Sequence, residues 1–113
     1  MKLKIEHDSI RLRLSNEDIE QLVIDGRIRN CCRFGSEMEM NYLLEVGGTS
    51  LAASFDDRTL AVAIPRNMAE TLTLRGGIGF ERLQLNDDGS TLSIIVERDL
   101  GRKQPHPLPI VGN

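Results

Sequence analysis

The chain has no tryptophan, one tyrosine and three phenylalanines. A platform for single-stranded nucleic acid needs exposed aromatics among basic residues, so this class is excluded. The formal net charge of −3, from 14 basic and 17 acidic residues, removes a strongly basic binder as well. Cysteine is scarce and adjacent: Cys31 and Cys32. A normal disulfide between neighbours is geometrically poor, and reduced thiols in the cytosol are the simpler reading. Neighbouring strand residues point to opposite faces, and His7 and His106 bring no ligand spacing, so no metal site is expected. No apolar run approaches the ~20 residues of a membrane helix. The opening Met1 to Glu6 alternates charged and apolar residues where a secretory signal is continuously apolar. A cytoplasmic protein is expected. There is no nucleophile elbow, and Gly76-Gly77-Ile78-Gly79 precedes a strand, whereas a dinucleotide fingerprint follows one. Hence no catalytic residue and no cofactor is nominated. No internal repeat stands out.

What is present is one domain's worth of amphipathic pattern. A chain of 113 residues buries roughly two-thirds of its unfolded surface around one core. Leu3 and Ile5, then Ile10, Leu12 and Leu14, alternate with charged residues, which predicts strand on both sides of a turn or bulge at His7-Asp8. Ser15 as N-cap, Asp18 in capping-box position, Ile19, Leu22 and Val23 on one face, and Gly26 as terminator predict a helix over residues 16–25. Residues 27–64 read as four strands. A three-residue loop, Gly35-Ser36-Glu37, puts Cys32 opposite Met40 and Ile28 opposite Leu44. Two-residue loops at Gly47-Gly48 and Asp57-Arg58 then put Tyr42 opposite Ala53, and Ala53 opposite Val62. The apolar set stays on one face throughout, including Tyr42, Phe55 and Cys32 as a small core residue. A second helix is expected from Pro65 over 66–74, with Met68, Ala69 and Leu72 inward. A last hairpin turns at Asp87-Asp88-Gly89-Ser90, with Leu83 opposite Ile94, Leu85 opposite Leu92 and a bulge near Glu81-Arg82. The expected fold is α+β: an antiparallel β-meander of about seven strands, highly curved or closed into a barrel, with two short helices. It occupies residues 1–99. Pro105, Pro107 and Pro109 make residues 100–113 a Pro-rich tail that favours polyproline II.

Met1-Lys2-Leu3-Lys4-Ile5 followed by Ser9-Ile10-Arg11-Leu12-Arg13-Leu14 resembles the start of an uncharacterised family of short bacterial proteins. Arg33-Phe34-Gly35, Ile64-Pro65, Ile78-Gly79 and Val96-Glu97-Arg98-Asp99 are similar to its later motifs, so the resemblance covers about residues 1–99. It implies a helix and a meander, and no particular activity. Leu100-Gly101-Arg102-Lys103 departs from the family's cysteine-bearing, acidic tail.

The charged residues give the functional leads. Asp56-Asp57 and Asp87-Asp88 fall in turns, where Asp is favoured for backbone reasons. Arg11, Arg13, Arg27, Arg29 and Arg33 could form one basic patch if the first strand lies beside the 27–34 strand. In the hairpin register, however, Arg27 faces Glu45 and Arg33 faces Glu39, the signature of cross-strand neutralisation. Arg11 and Arg13 lack an assigned acid, and guanidinium groups bind phosphate or carboxylate bidentately. Two readings follow. One is a non-enzymatic interaction module that self-associates as a homo-oligomer, with the tail and the outward Leu43 as contacts. The other is a small enzyme or ligand carrier with an anion site at Arg11 and Arg13. Neither involves nucleic acid or a membrane.

Overall fold

A computed structural model describes residues 1–74 and 76–100. Among these residues eight strands and two helices follow one another as β1 (Lys2–Glu6), β2 (Ser9–Leu14), α1 (Asn16–Asp25), β3 (Arg27–Arg33), β4 (Glu39–Val46), β5 (Ala52–Asp56), β6 (Thr59–Ile64), α2 (Arg66–Thr71), β7 (Gly79–Leu85) and β8 (Thr91–Arg98).

The strands form two mixed sheets, ordered β1-β2-β8-β7 and β3-β4-β6-β5. Neither is closed or strongly curled. This corrects the expected single antiparallel meander of about seven strands, curved or closed into a barrel: the strands number eight among the described residues, β2 lies parallel to β8 with Ile10 beside Ile94, and β4 does not pair with β5 through Gly47-Gly48. It lies parallel to β6, with Leu44 beside Val62, while β5 pairs with the far side of β6. The link from β4 to β5 therefore crosses over a strand, anchored by the buried Leu51. Hydrophobic parity could not detect this, because exchanging neighbours within a sheet leaves every inward side chain inward. Within the two hairpins of the second sheet the expected registers hold. Ile28 faces Leu44 and Cys32 faces Met40, and Ala53 faces Val62.

The topology exposes a duplication that the sequence conceals. Hairpin, helix, hairpin (β1-β2-α1-β3-β4) recurs as β5-β6-α2-β7-β8, and each sheet takes one hairpin from each half. Ile10, Leu12, Leu14, Ile19 and Leu22 are buried, and so are Leu60, Val62, Ile64, Ala69 and Leu72, each fifty residues on. After the helices the offset becomes 52. The N–H of Val46 donates to Gly26 O as that of Arg98 does to Ile78 O, and Phe34 N–H to Met38 O as Asn86 N–H to Ser90 O. A lone hairpin is marginally stable in water. Joining hairpins from opposite halves gives four-stranded sheets whose inward residues, with both helices, make a single core.

Local chemistry explains the elements. Ser15 Oγ accepts from the Asp18 N–H at 3.1 Å, and the Asp18 carboxylate accepts from the Ser15 N–H at 2.9 Å. Gly26 closes α1 in the left-handed conformation, φ +80°. Helix α2 stops at Thr71, three residues short of expectation. It has no side-chain cap, and the Thr71 and Thr73 hydroxyls donate to Asn67 O and Glu70 O, a competition that weakens short helices. The β7-β8 hairpin differs by one residue from expectation. Its loop is Asp87-Asp88-Gly89, with Gly89 at φ +90°, so Gln84 faces Leu92 and Arg82 faces Ile94 without a bulge. Leu83 and Leu85 are consequently exposed. Asp88 is a turn residue whose carboxyl is held below its ordinary value by the Ser90 hydroxyl and N–H. Phe55 and Cys32 lie at strand ends and are exposed; Tyr42 is half-buried. Among the described residues no helix is long and apolar enough to cross a membrane. The polyproline reading of the tail lies on residues outside the described ones, apart from Leu100.

A cationic face on the first sheet

Strand β2 is central in its sheet and alternates strictly. Ile10, Leu12 and Leu14 point into the core, so Arg11 and Arg13 must point outward. Their neighbours follow from the pairings. Lys2, Arg13, Glu97 and Gly79 form one outward row, and Lys4, Arg11, Ile95 and Glu81 the next. Arg13 Nε donates to Glu97 Oε2 at 2.8 Å, and Arg11 Nη1 lies 3.8 Å from the same oxygen. The two arginines left without an acid by the sequence thus share one, supplied by a strand 84 residues away. Lys2 Nζ stands 3.1 Å from the Asp99 carboxylate.

Two cations on one carboxylate leave an excess of positive charge. Arg13 bonds Glu97 through Nε, and Arg11, among the described residues, makes no hydrogen bond, so most of the five donors on each guanidinium remain open to a ligand. Both side chains are partly exposed, where an ion pair is worth only ~0.2–1 kcal/mol. A ligand could displace this internal partner at small cost. Beside the row lies a groove of about 490 Å³ lined by Lys2, Arg11, Arg13, Glu97, Asp99 and Ile78, among others. Arg98 also lines it but is committed elsewhere. Its guanidinium donates to Asn16 Oδ1, Leu72 O and Gly77 O, tying β8 to both helices.

The duplication supplies an internal control. The position equivalent to Glu97 is Glu45, fifty-two residues earlier. Across β6 and β5 from Glu45 stand Ala63 and Ala52, with Ala61 in the next row. These are the counterparts of Arg13, Lys2 and Arg11. Glu45 takes its cation from the opposite side, Arg27 Nη2 at 2.8 Å, as the hairpin register led one to expect. On the other sheet that position is Gly79. A Cβ there would sit 2.6 Å from Val96 O, so no side chain reaches Glu97 from that position. The same glutamate is therefore neutralised from β3 in one sheet and from β2 in the other. The fold does not require arginine at 11 or 13.

The five early arginines do not form one patch, since Arg27, Arg29 and Arg33 belong to the other sheet. Of the two pairs expected between β3 and β4, Arg27–Glu45 forms; Arg33 and Glu39 are opposite in register, and among the described residues no ion pair joins them. Cys31 and Cys32 point to opposite faces and both are exposed. Leu43 is outward and half-buried, between Arg29 and Ala61. His7 sits in the β1-β2 turn at φ +51°. Glu97 was the partner that sequence reasoning missed. No local signal links residue 97 to residues 11 and 13.

Fold and face together define a duplicated two-sheet α+β domain with a cationic groove on one sheet. The chain belongs to a family of unknown function, DUF7009, which matches residues 1–102. No curated protein and no solved structure matches it.

Proposed function

We propose that this domain is a binding module for a small anion with two acceptor oxygens, a phosphate or a carboxylate, held by Arg11 and Arg13 with Lys2 at the margin. The observation that carries this reading is the asymmetry between the duplicated sheets: Lys2, Arg11 and Arg13 on one, Ala52, Ala61 and Ala63 at the equivalent positions on the other. A groove beside the arginines and their single shared acid support it. In the unliganded state Glu97 occupies the anion's place, and the bound anion displaces it.

Thermal unfolding in the presence of inorganic phosphate, nucleotides and carboxylic acids tests this. A ligand at ten times its Kd stabilises by about 1.4 kcal/mol, which for a domain of this size raises Tm by roughly 5–10 °C. Arg11→Ala with Arg13→Ala should abolish the shift. Glu97→Gln should tighten binding several-fold, because the competing carboxylate is gone, while Glu45→Gln should not. No shift with any anion at low salt, where such contacts are strongest, would refute the reading.

A further inference from the structure

The cations of the first sheet make two rows. Register sets Lys2 beside Arg13 and Lys4 beside Arg11, all four on the outward face of β1 and β2. Positions two residues apart lie about 7 Å from each other along a strand. The rows differ in how far their charges are committed. In the first, Lys2 Nζ is 3.1 Å from the Asp99 carboxylate and Arg13 Nε 2.8 Å from Glu97, both hydrogen bonds. In the second, Lys4 Nζ lies 3.8 Å from Glu6 and Arg11 Nη1 3.8 Å from Glu97, too far for hydrogen bonds. Among the described residues neither Lys4 nor Arg11 makes one, so the second row keeps its donors open.

The array is also bounded. Glu6 follows Lys4 on the same face of β1, opposite Ser9, and ends it on one side. Asp99 stands at the other end beside Lys2, and Glu97 flanks Arg13 on β8. A long polyanion would run onto these acids, whereas a short one fits between them. The second sheet shows which part is distinctive. Glu6, Ser9 and Glu97 have Asp56, Thr59 and Glu45 as their equivalents, so these three keep their chemistry. The four cations do not: Lys2, Lys4, Arg11 and Arg13 answer to Ala52, Ser54, Ala61 and Ala63. Finally, the groove at Lys2, Arg11 and Arg13 adjoins a smaller depression lined by Lys4, Glu6, Ser9 and Arg11. Arg11 lines both.

We propose, building on the anion reading of Arg11 and Arg13, that the ligand is a short oligophosphate lying along β1 and β2 with a phosphate group in each row. A single phosphate spans one row only. A dicarboxylate could reach both, but its carbon spacer would cross the smaller depression, whose lining has no apolar side chain. An oligophosphate presents oxygens along its whole length, and the fork of Arg11 donates to consecutive groups. Lys4 supplies the charge for the second group. Its pair with Glu6 is exposed on both sides and weak.

Isothermal titration calorimetry at fixed pH and ionic strength compares orthophosphate, tripolyphosphate and glutarate. Tripolyphosphate should bind tighter than orthophosphate by about tenfold, since a second row of charge-assisted contacts is added. Lys4→Ala should bring that ratio close to unity. Arg29→Ala, which removes a positive charge from an exposed position on the other sheet, should leave the ratio as it is. Equal losses in the two variants would overturn the proposal, because net charge alone would then set the preference. So would glutarate binding as tightly as tripolyphosphate. In both outcomes orthophosphate still binds and the anion reading stands; binding of none of the three would remove that reading and this inference together.

Discussion

Two donors reach the Asp18 carboxylate, the Ser15 N–H at 2.9 Å and the Met1 ammonium at 2.9 Å. Burial opposes its ionisation, but these contacts outweigh it and hold its carboxyl below the ordinary value. An unfolded chain binds the proton more readily than the folded one. The stability this group adds is therefore complete above the ordinary aspartate value and is lost as pH falls through the lowered one. Asp18→Asn should cost about 1 kcal/mol at neutral pH, as capping losses do, and should flatten the acid limb of stability against pH. Urea unfolding between pH 7 and pH 3 reads both. Ser15, Asp18 and Gly26 were all legible, because a cap is a contact between residues three or four apart. Glu97 was not, because its partners are set by which strands become neighbours.

At the scale of elements, β7 and β8 show how one atom governs pairing. Gly79 has no room for a Cβ against Val96 O, and it keeps β7 close to β8 while leaving Glu97 to the arginines of β2. Gly79→Ala should destabilise by about 2 kcal/mol through overpacking, measured by denaturant unfolding. Gly89→Ala, whose Cβ meets nothing within 4 Å, carries only the cost of φ +90°, about 1 kcal/mol. The same hairpin shows where pattern reading slips. Placing Leu83 and Leu85 inward satisfies the hydrophobic pattern. The fold instead turns Gln84 inward to bond Ala53 and leaves both leucines exposed. A polar side chain that seals one sheet to the other gives no apolar signal.

Over the whole molecule the halves are interlaced. β2 pairs with β8, and β4 with β6, so each sheet needs strands from both. A chain cut between Gly47 and Gly48 should give two fragments that are unfolded as monomers and regain dispersed NMR spectra only on mixing; one fragment folding alone as a monomer would contradict the interlacing. Folding of the intact chain should be cooperative and slow, in the millisecond-to-second range of sheets dominated by distant pairings.

Alternation, capping and turn residues determined by themselves that this chain combines β-strands with two short helices. They set the hairpins at 27–46 and 52–64, the capped helix at 16–25 and the outward aim of Arg11 and Arg13. Each of these depends on residues close in sequence or on which face a side chain takes. The tertiary structure alone decided that the sheets are two and mixed, that the chain is a concealed duplication, and that Glu97 serves both arginines. Side-chain period defines a strand's faces but carries no information about its neighbours. Those are chosen by the burial of one hairpin against another from the far half of the chain.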